Sequence, residues 1–429
     1  MANYQNQRGT YDAFDGDALN IEKLSSMLSG IVSLYGYQPI HTPIYEQTEL
    51  FARSAGESSD IVTKEMFTFQ DKGGRSITLR PEVTAGVIRA IVNGKLYATK
   101  DLPLKYYYYG PAFRYERPSA GRYRQFNQFG VECVGVSNYL SDVECISMGY
   151  RALTMLGFDD LILKINTLGD EASRARYQEA LRAYFADKIE TMCPDCKRRY
   201  EQNVLRILDC KDPDDRATID AAPKMKDYLS EEAKEYFSRV LALLDEEQIP
   251  YVIDDTLVRG LDYYSHVVFE YHYVSKDGTS LGAIGAGGHY DHLVKEIGGP
   301  DLSSVGFALG IERVNTLLKE IHPETYEKVT SDVFVIHLGE ETLTHAYLLS
   351  QELRANGFRT DLTFENKSIG AQFKIAARKG AKYALIVGEN EMKEYVYPVK
   401  NLATAEQENV AYQQLIDYFD QKIIEEEFE

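Results

Sequence analysis

The sequence predicts an α+β protein: an antiparallel sheet core with helices, interrupted by a helical insertion and followed by a separate α/β domain. Three observations carry this. Alternating, β-branched and aromatic runs joined by turn residues occur before residue 135 and return over 250–290. Between them, about residues 170–245 read as charged and helical, with a turn-rich break at DCKDPDDRAT. From residue 331, strand and helix patterns alternate and each helix ends near a glycine, the sign of a small α/β unit. A chain of 429 residues is too long for one ordinary core, so domains over 1–325 and 331–429 are expected.

In chain order, residues 18–35 place Leu24, Met27, Leu28, Ile31 and Tyr35 on one helical stripe, with Asp17 as its cap. Pro39 and Pro43 break the next stretch and keep it extended. MFTFQDKGGRSITLRPE is a hairpin pattern turning at residues 71–74. LPLKYYYYGPAFRYER and YRQFNQFGVECVG are two more strands around PSAGR. In LVRGLDYYSHVVFEY, the VVFEY segment has strand composition. Arg259 is placed where that strand begins, next to Gly260, where the backbone is free to bend or to let a ligand come close. Strands are expected over 250–275 and 280–290; GAIGAGGHYDHLV is glycine-dense, permitting close backbone approach or simply a flexible loop, and VGFALGIERVNTLLKEI runs from strand or turn into helix. DVFVIHLG, ETLTHAYLLSQELRANG, FRTDLTF, QFKIAARKGA and KYALIVG then alternate, and the acidic tail EEEFE is expected to fray.

Composition narrows the function classes. Hydrophobic content of 44% and charged content of 26% are those of a soluble globular protein, and no apolar run is long enough to span a bilayer. The N-terminal stretch has no signal-peptide core, so a cytoplasmic protein is expected. A net charge of −19 argues against non-specific nucleic-acid coating. A local basic face is still available at ENKSIGAQFKIAARKGAK, where Lys367, Lys374, Arg378, Lys379 and Lys382 outnumber Glu365; a solvated helix face accounts for it equally well. Cys193 and Cys196 form one CxxC with Cys210 nearby, but no fourth ligand stands at zinc spacing, and reduced thiols of no special role fit better. No protein metal cluster is expected.

The usual nucleotide signals are missing: GxxxxGK[ST] is absent and GAIGAGGHYD does not complete GxGxxG. Any nucleotide must be held by side chains, chiefly arginines. The hairpin at 111–135 supplies them, because side chains on one strand face recur every second residue. Arg114 and Glu116 share a face on its first strand, and Arg124, Phe126, Gln128, Gly130 and Glu132 share one on its second. If the parities match across the turn, one surface carries arginines, an aromatic ring, an amide and two carboxylates, a set that suits a ligand platform. A solvated sheet face would explain the charges but not Phe126 and Gly130 among them. TLRPEVTAGVIRA adds Glu82 and Thr84 at a strand-to-helix junction; read alone, Thr84 is a cap and Glu82 a first-turn acid.

PAFRYERPSAGRYRQFNQFGVE resembles motif 2 of class II aminoacyl-tRNA synthetases, GFALGIER their motif 3, and GYQPIHTPIYEQTELF with Pro43 their motif 1. LVRGLDYYSHVVFEY, the GGHYD loop, NVLRILDCK and SIGAQFKIAARKGAKYALIVGENE resemble the histidyl branch in particular. The resemblance spans essentially the whole chain. It implies activation of L-histidine by ATP to histidyl-adenylate, then transfer to the 3′ end of histidine tRNA. ATP is then a substrate, Mg2+ is expected with it, the core is expected to be a homodimer, and residues 331–429 an anticodon-binding domain.

By the same resemblance, Arg114 and Arg259 would act at the α-phosphate, and Glu116 would hold the adenine amino group. Phe126 and Arg313 would sandwich the adenine, and Arg122 would reach the distal phosphates. Glu82, Thr84 and Gln128 would receive the α-amino group. Glu132 and Tyr264, with Tyr290, would grip the imidazole, and Tyr263 would line its pocket. Two departures stand out. Where the family's glycine-rich segment reads GGRYDGL, this chain has His289 for the arginine and His292 for the second glycine; two histidines alone do not make a metal site. Ser119 and Ala120 replace longer polar residues in the loop that faces the tRNA acceptor end. The competing readings are a synthetase-like regulatory subunit of ATP phosphoribosyltransferase, which generally lacks the terminal domain, and a generic ATP-binding scaffold.

Overall fold

The first long helix, Asp15–Leu34, buries Ile21, Leu24, Leu28, Ile31 and Val32 at helical spacing. The helix starts ahead of residue 18, so Asp17 lies inside its first turn and is not the cap; Met27, predicted on the buried stripe, is 41% exposed. The structure, a computed structural model, describes residues 4–56, 59–275, 278, 280–323 and 330–427. It divides into two compact units, Met1–Ala13 with Asn20–Tyr326 and Phe14–Leu19 with Glu327–Glu429. The boundary expected between residues 325 and 331 falls largely on residues outside the described set.

The first unit carries strands β1 (Gln38–Pro39), β2 (Tyr45–Gln47), β3 (Phe67–Gln70), β4 (Ser76–Leu79), β5 (Leu104–Phe113), β6 (Gln125–Val134), β7 (Ile162–Thr167), β8 (Tyr251–Ile253), β9 (Ser265–His272), β10 (Ala283–Tyr290) and β11 (Ser304–Gly310). Eight of these form one sheet in the order β1-β5-β6-β11-β10-β9-β7-β8, and β2-β4-β3 form a small second sheet. The six central strands are antiparallel; only the edge strands β1 and β8 pair in parallel. The helical insertion leaves the sheet after β7 and returns at β8, with helices Glu171–Phe185, Pro194–Gln202 and Glu231–Glu246. The β3–β4 turn is fixed by Asp71, whose Oδ1 accepts from the amides of Gly73 at 2.8 Å and Arg75 at 2.9 Å.

Alternation along β6 explains how the sheet serves core and site at once. Phe129, Val131 and Cys133 enter the core that also holds Leu24, Tyr271 and Phe307. The even residues face the other way. The register pairs Ala112 with Phe126, Gly110 with Gln128, Tyr108 with Gly130 and Tyr106 with Glu132, so the parities do match across the turn. The ladder is shorter than expected: Arg114, Glu116 and Arg124 lie beyond it, in the connecting loop, although the Arg114 amide still donates to the Arg124 carbonyl at 2.9 Å.

The glycine-dense stretch forms strand β10, next to the middle of the sheet, within the strand expected over 280–290. A Cβ on Gly287 would overlap the Gly306 carbonyl and the Phe269 ring, and one on Gly288 would lie 2.7 Å from the Val267 carbonyl. Neighbouring backbones approach more closely than side chains permit, which is where glycine is found inside strands.

The second unit has its own sheet: β12 (Val333–His337), β13 (Thr360–Leu362), β14 (Tyr383–Val387), β15 (Val396–Asn401) and β16 (Gln407–Ala411), in the order β13-β12-β14-β15-β16. The alternating pattern correctly marks the parallel trio β13-β12-β14; the antiparallel β15 and β16 are additional. The helix predicted around the basic residues is Ile369–Arg378. The acidic tail, expected to fray, is helical as far as Glu427. No helix among the described residues is long and apolar enough to cross a membrane.

Candidate active site

The face of β6 that carries Phe126, Gln128 and Glu132 forms the wall of a cavity of about 780 Å³. That size falls in the range of small-molecule sites. All the residues given roles by the resemblance line it, from Glu82, Thr84, Arg114, Glu116 and Arg122 through Arg259, Tyr263, Tyr264 and Tyr290 to Arg313. Of the platform read from spacing, Arg124 and Gly130 are not in its lining, and Arg124 lies over the Tyr115 ring at 3.7 Å.

The inner end is acidic and phenolic. Glu132, 1% exposed, accepts a 2.6 Å hydrogen bond from Thr84 Oγ1 and another from Tyr290 Oη. Thr84 therefore uses its hydroxyl on Glu132 and is not a helix cap; Glu82 takes that part, accepting from the Ala85 amide at 2.9 Å. Tyr263 packs against Tyr264 and Tyr290 with ring centroids 4.6 and 5.3 Å away. Burial pushes the Glu132 carboxyl up to about 8 against the pull of the Thr84 and Tyr290 hydroxyls, and burial also raises Glu82. Glu82 Oε2 and Gln128 Oε1 are buried and accept no hydrogen bond. Such acceptors fit a cationic donor.

Arg259 does not begin a strand: it lies in the segment ahead of β9, which starts at Ser265. Its guanidinium pairs with Glu270 of β9 and stands 5.9 Å from the Tyr264 ring centroid, while Nε has no partner. Glu270 also meets His272 Nε2 at 2.8 Å. Gly260 lines the cavity; a Cβ there would meet only Arg206 Nη2 at 3.9 Å among protein atoms, and its carbonyl accepts from Arg206 Nη1 at 3.0 Å.

The outer end is cationic and aromatic. Arg114 donates from Nε to the Pro81 carbonyl at 2.9 Å, and its Cζ is 5.3 Å from the Phe126 ring centroid. Arg313 is tied to the carbonyls of Ala283 at 2.6 Å and Gly121 at 3.1 Å. Arg122 Nε meets Glu116 Oε2 at 2.8 Å, so two groups nominated to bind different parts of ATP bind each other here.

His289, 1% exposed, has both ring nitrogens on carboxylates, Asp142 at 2.8 Å and Asp291 at 3.0 Å. It stands in for the arginine of the resembling motif as a buried cation and has no nitrogen left for a metal. Sequence reading missed Glu270, Tyr108 and Glu312. A glutamate between Phe269 and Tyr271 in an apolar strand was the available signal for the first, and the shared parity of Tyr106 and Tyr108 for the second. Glu312 stood in GFALGIER, but its contact with the Asn127 amide at 2.9 Å joins distant segments.

Residues 9–314 match the family model described as histidyl-tRNA synthetase, and residues 332–422 the model of an anticodon binding domain. The chain belongs to the histidyl-tRNA synthetase family. A histidine–tRNA ligase of Thermosipho melanesiensis is 46% identical over 94% of this chain and 95% of its own length. That of Geobacillus kaustophilus is 43% identical over 99% of this chain and 100% of its own. Apo histidyl-tRNA synthetase from S. aureus superposes with a TM-score of 0.81 at 37% identity, covering 97% of this chain and 99% of that one. A Bacillus halodurans structure titled as an ATP phosphoribosyltransferase regulatory subunit/histidyl-tRNA synthetase shares the fold at 20% identity and a TM-score of 0.65. The activity is that of an aminoacyl-tRNA ligase acting on histidine, and the regulatory-subunit reading has less support.

Proposed function

We propose that the cavity divides this ligation as follows. The histidine α-amino group is received by Glu82, Thr84 and Gln128, and its imidazole is held by Glu132, Tyr264 and Tyr290, with Tyr263 closing the side. Imidazole offers two distinct nitrogens, which an acidic and a phenolic partner can both satisfy. The adenine lies between Phe126 and Arg313, with Glu116 at its amino group and Arg122 at the distal phosphates. Magnesium enters with the nucleotide as part of the substrate.

The histidine carboxylate then attacks the α-phosphorus and pyrophosphate leaves. Arg114 and Arg259 neutralise charge developing on the α-phosphoryl oxygens, and no side-chain nucleophile is needed. In the second step the terminal ribose hydroxyl of the tRNA attacks the carbonyl and AMP leaves. The observation that carries this reading is the pair of partnerless buried acceptors, Glu82 Oε2 and Gln128 Oε1, beside the Glu132–Tyr290 pair. ATP–pyrophosphate exchange tests it. Exchange should require histidine, and Glu132→Gln should raise the histidine KM by roughly a hundred-fold, since the buried carboxyl that faces the imidazole is lost, while the ATP KM stays within about two-fold. An unchanged histidine KM would remove Glu132 from the imidazole pocket.

We further take 1–325 as the catalytic part of a cytoplasmic homodimer and 331–429 as the part that reads the histidine tRNA anticodon. In support of the dimer, Met27, Leu34, Ile44 and Tyr45 leave apolar surface exposed along the motif 1 region. Sedimentation at micromolar concentration should find two chains; a monomer refutes this assembly. In support of the second assignment, Phe364 is 72% exposed close in sequence to the exposed Lys374 and Arg378, a combination suited to stacking and charging unpaired loop bases.

A further inference from the structure

The insertion brings together four groups that the sequence keeps apart. Cys193 caps the helix Pro194–Gln202 and Cys196 lies in its first turn; Cys210 closes the 3-10 turn Val204–Asp209, and Asp215 ends another, Pro213–Asp215. Their sulfur and carboxylate ligand atoms all lie within 4.8 Å of one another. No fourth ligand stands at zinc spacing in the sequence; Asp215 arrives by folding, at no regular spacing from the CxxC.

We infer that Cys193, Cys196, Cys210 and Asp215 form a structural site for one thiophilic divalent cation of the zinc class. Cys193 Sγ and Cys210 Sγ are 3.6 Å apart, and Cys210 Sγ and Asp215 Oδ2 are 3.5 Å apart. Tetrahedral zinc with bonds near 2.3 Å places its ligands about 3.8 Å apart, so little movement is needed. The amides of Cys196 and Asp212 each point at a cysteine sulfur, Cys193 and Cys210, at 3.4 Å. Donors so placed orient the sulfurs from outside the metal shell.

The independent observation is Asp215. The residue is 4% exposed and its carboxylate has no lysine, arginine or histidine partner among the described residues; it accepts from the Cys193 amide at 3.2 Å and the Cys210 thiol at 3.5 Å. Asp60, the carboxylate that braces the same insertion, is held by Arg198, Arg199 and Arg206. A buried carboxylate facing three sulfurs, with no basic side chain on it, is placed as a fourth ligand for a cation. Binding would release the three thiol protons and leave the carboxylate ionised.

The knot also braces the active site. The turn it closes, Val204–Asp209, carries Arg206, which holds the Gly260 carbonyl beside Arg259, and Asp209 lines the cavity.

The test uses the full-length protein, purified under reducing conditions, loaded with zinc chloride and gel-filtered. About one zinc per chain should remain. Cobalt exchanged anaerobically should show the visible bands of a tetrahedral ion and thiolate charge transfer. Cys210→Ser and Asp215→Ala should each weaken zinc retention by roughly ten-fold or more. Three results would overturn the site. One is retention below about a tenth of an equivalent, with all the cysteines titrating as free thiols. Another is an oxidised Cys193–Cys210 pair that persists through purification and excludes metal. The third is zinc held equally by both variants with an octahedral cobalt spectrum, which marks surface binding. Because the readout is metal content, a wrong assignment of the histidine pocket would leave these results untouched.

Discussion

Arg259 is set as a charge donor with an unfilled valence: Glu270 takes one edge of its guanidinium, and Nε faces no partner. Arg259→Ala should leave histidine and ATP binding largely intact and slow adenylate formation by roughly a hundred-fold or more, the scale of one lost transition-state donor. Single-turnover ATP consumption measures this directly, and a near-unchanged rate removes Arg259 from the chemistry. His289 behaves differently. Burial disfavours its charge, yet Asp142 and Asp291 outweigh that and raise its pKa to about 10. An unfolded histidine titrates near 6.5, so below about that pH the clamp contributes in full. As pH climbs toward 10 the unfolded chain releases its proton first and the contribution is lost. The urea midpoint should therefore fall through this alkaline window, and His289→Asn should flatten the slope. Residue types in motif order made the cavity lining legible in the sequence. Glu270 and the carboxylates around His289 were not, because they reach their partners only through strand pairing and tertiary packing.

Among the elements, the β5–β6 hairpin was the most legible, since a period of two survives any error in strand length. Its ends were not: where the ladder gives way to the Arg114–Arg124 loop is decided by side-chain ties such as Arg114 to the Pro81 carbonyl. At β10 the strand over 280–290 was legible but the reason for its glycines was not: the close approach of β9 and β11 is invisible to local pattern. Gly287→Ala forces a methyl into the Gly306 carbonyl and should cost about 1–3 kcal/mol, the range of overpacking, or more where backbone must move. Denaturant titration with the slope held constant checks this; a variant as stable as the parent shows that the sheet can spread. The second unit's β15 escaped for another reason: Pro398 within it argues against a strand, and it pairs antiparallel after a run of parallel ones.

The whole molecule carries −19 charges and must still attract RNA. The basic face is smaller than composition suggested, because Lys379 is paired with Asp361 and Lys367 with Glu365. Lys374 and Arg378 make no ion pair among the described residues and are exposed. Lys374→Ala with Arg378→Ala should raise the tRNA KM by roughly ten-fold and flatten its salt dependence, while histidine-dependent pyrophosphate exchange is unchanged. Equal loss in both assays, or none in either, removes this helix from RNA binding. The two units also keep separate interiors: Leu24, Phe129 and Tyr271 belong to one, Val333, Leu385 and Phe419 to another. Calorimetrically, a chain with two interiors absorbs heat in two cooperative steps, and a single van't Hoff enthalpy cannot describe it. On the proposed site, histidine and ATP bind the first unit, so saturating ligand should move one endotherm upward and leave the other at its temperature.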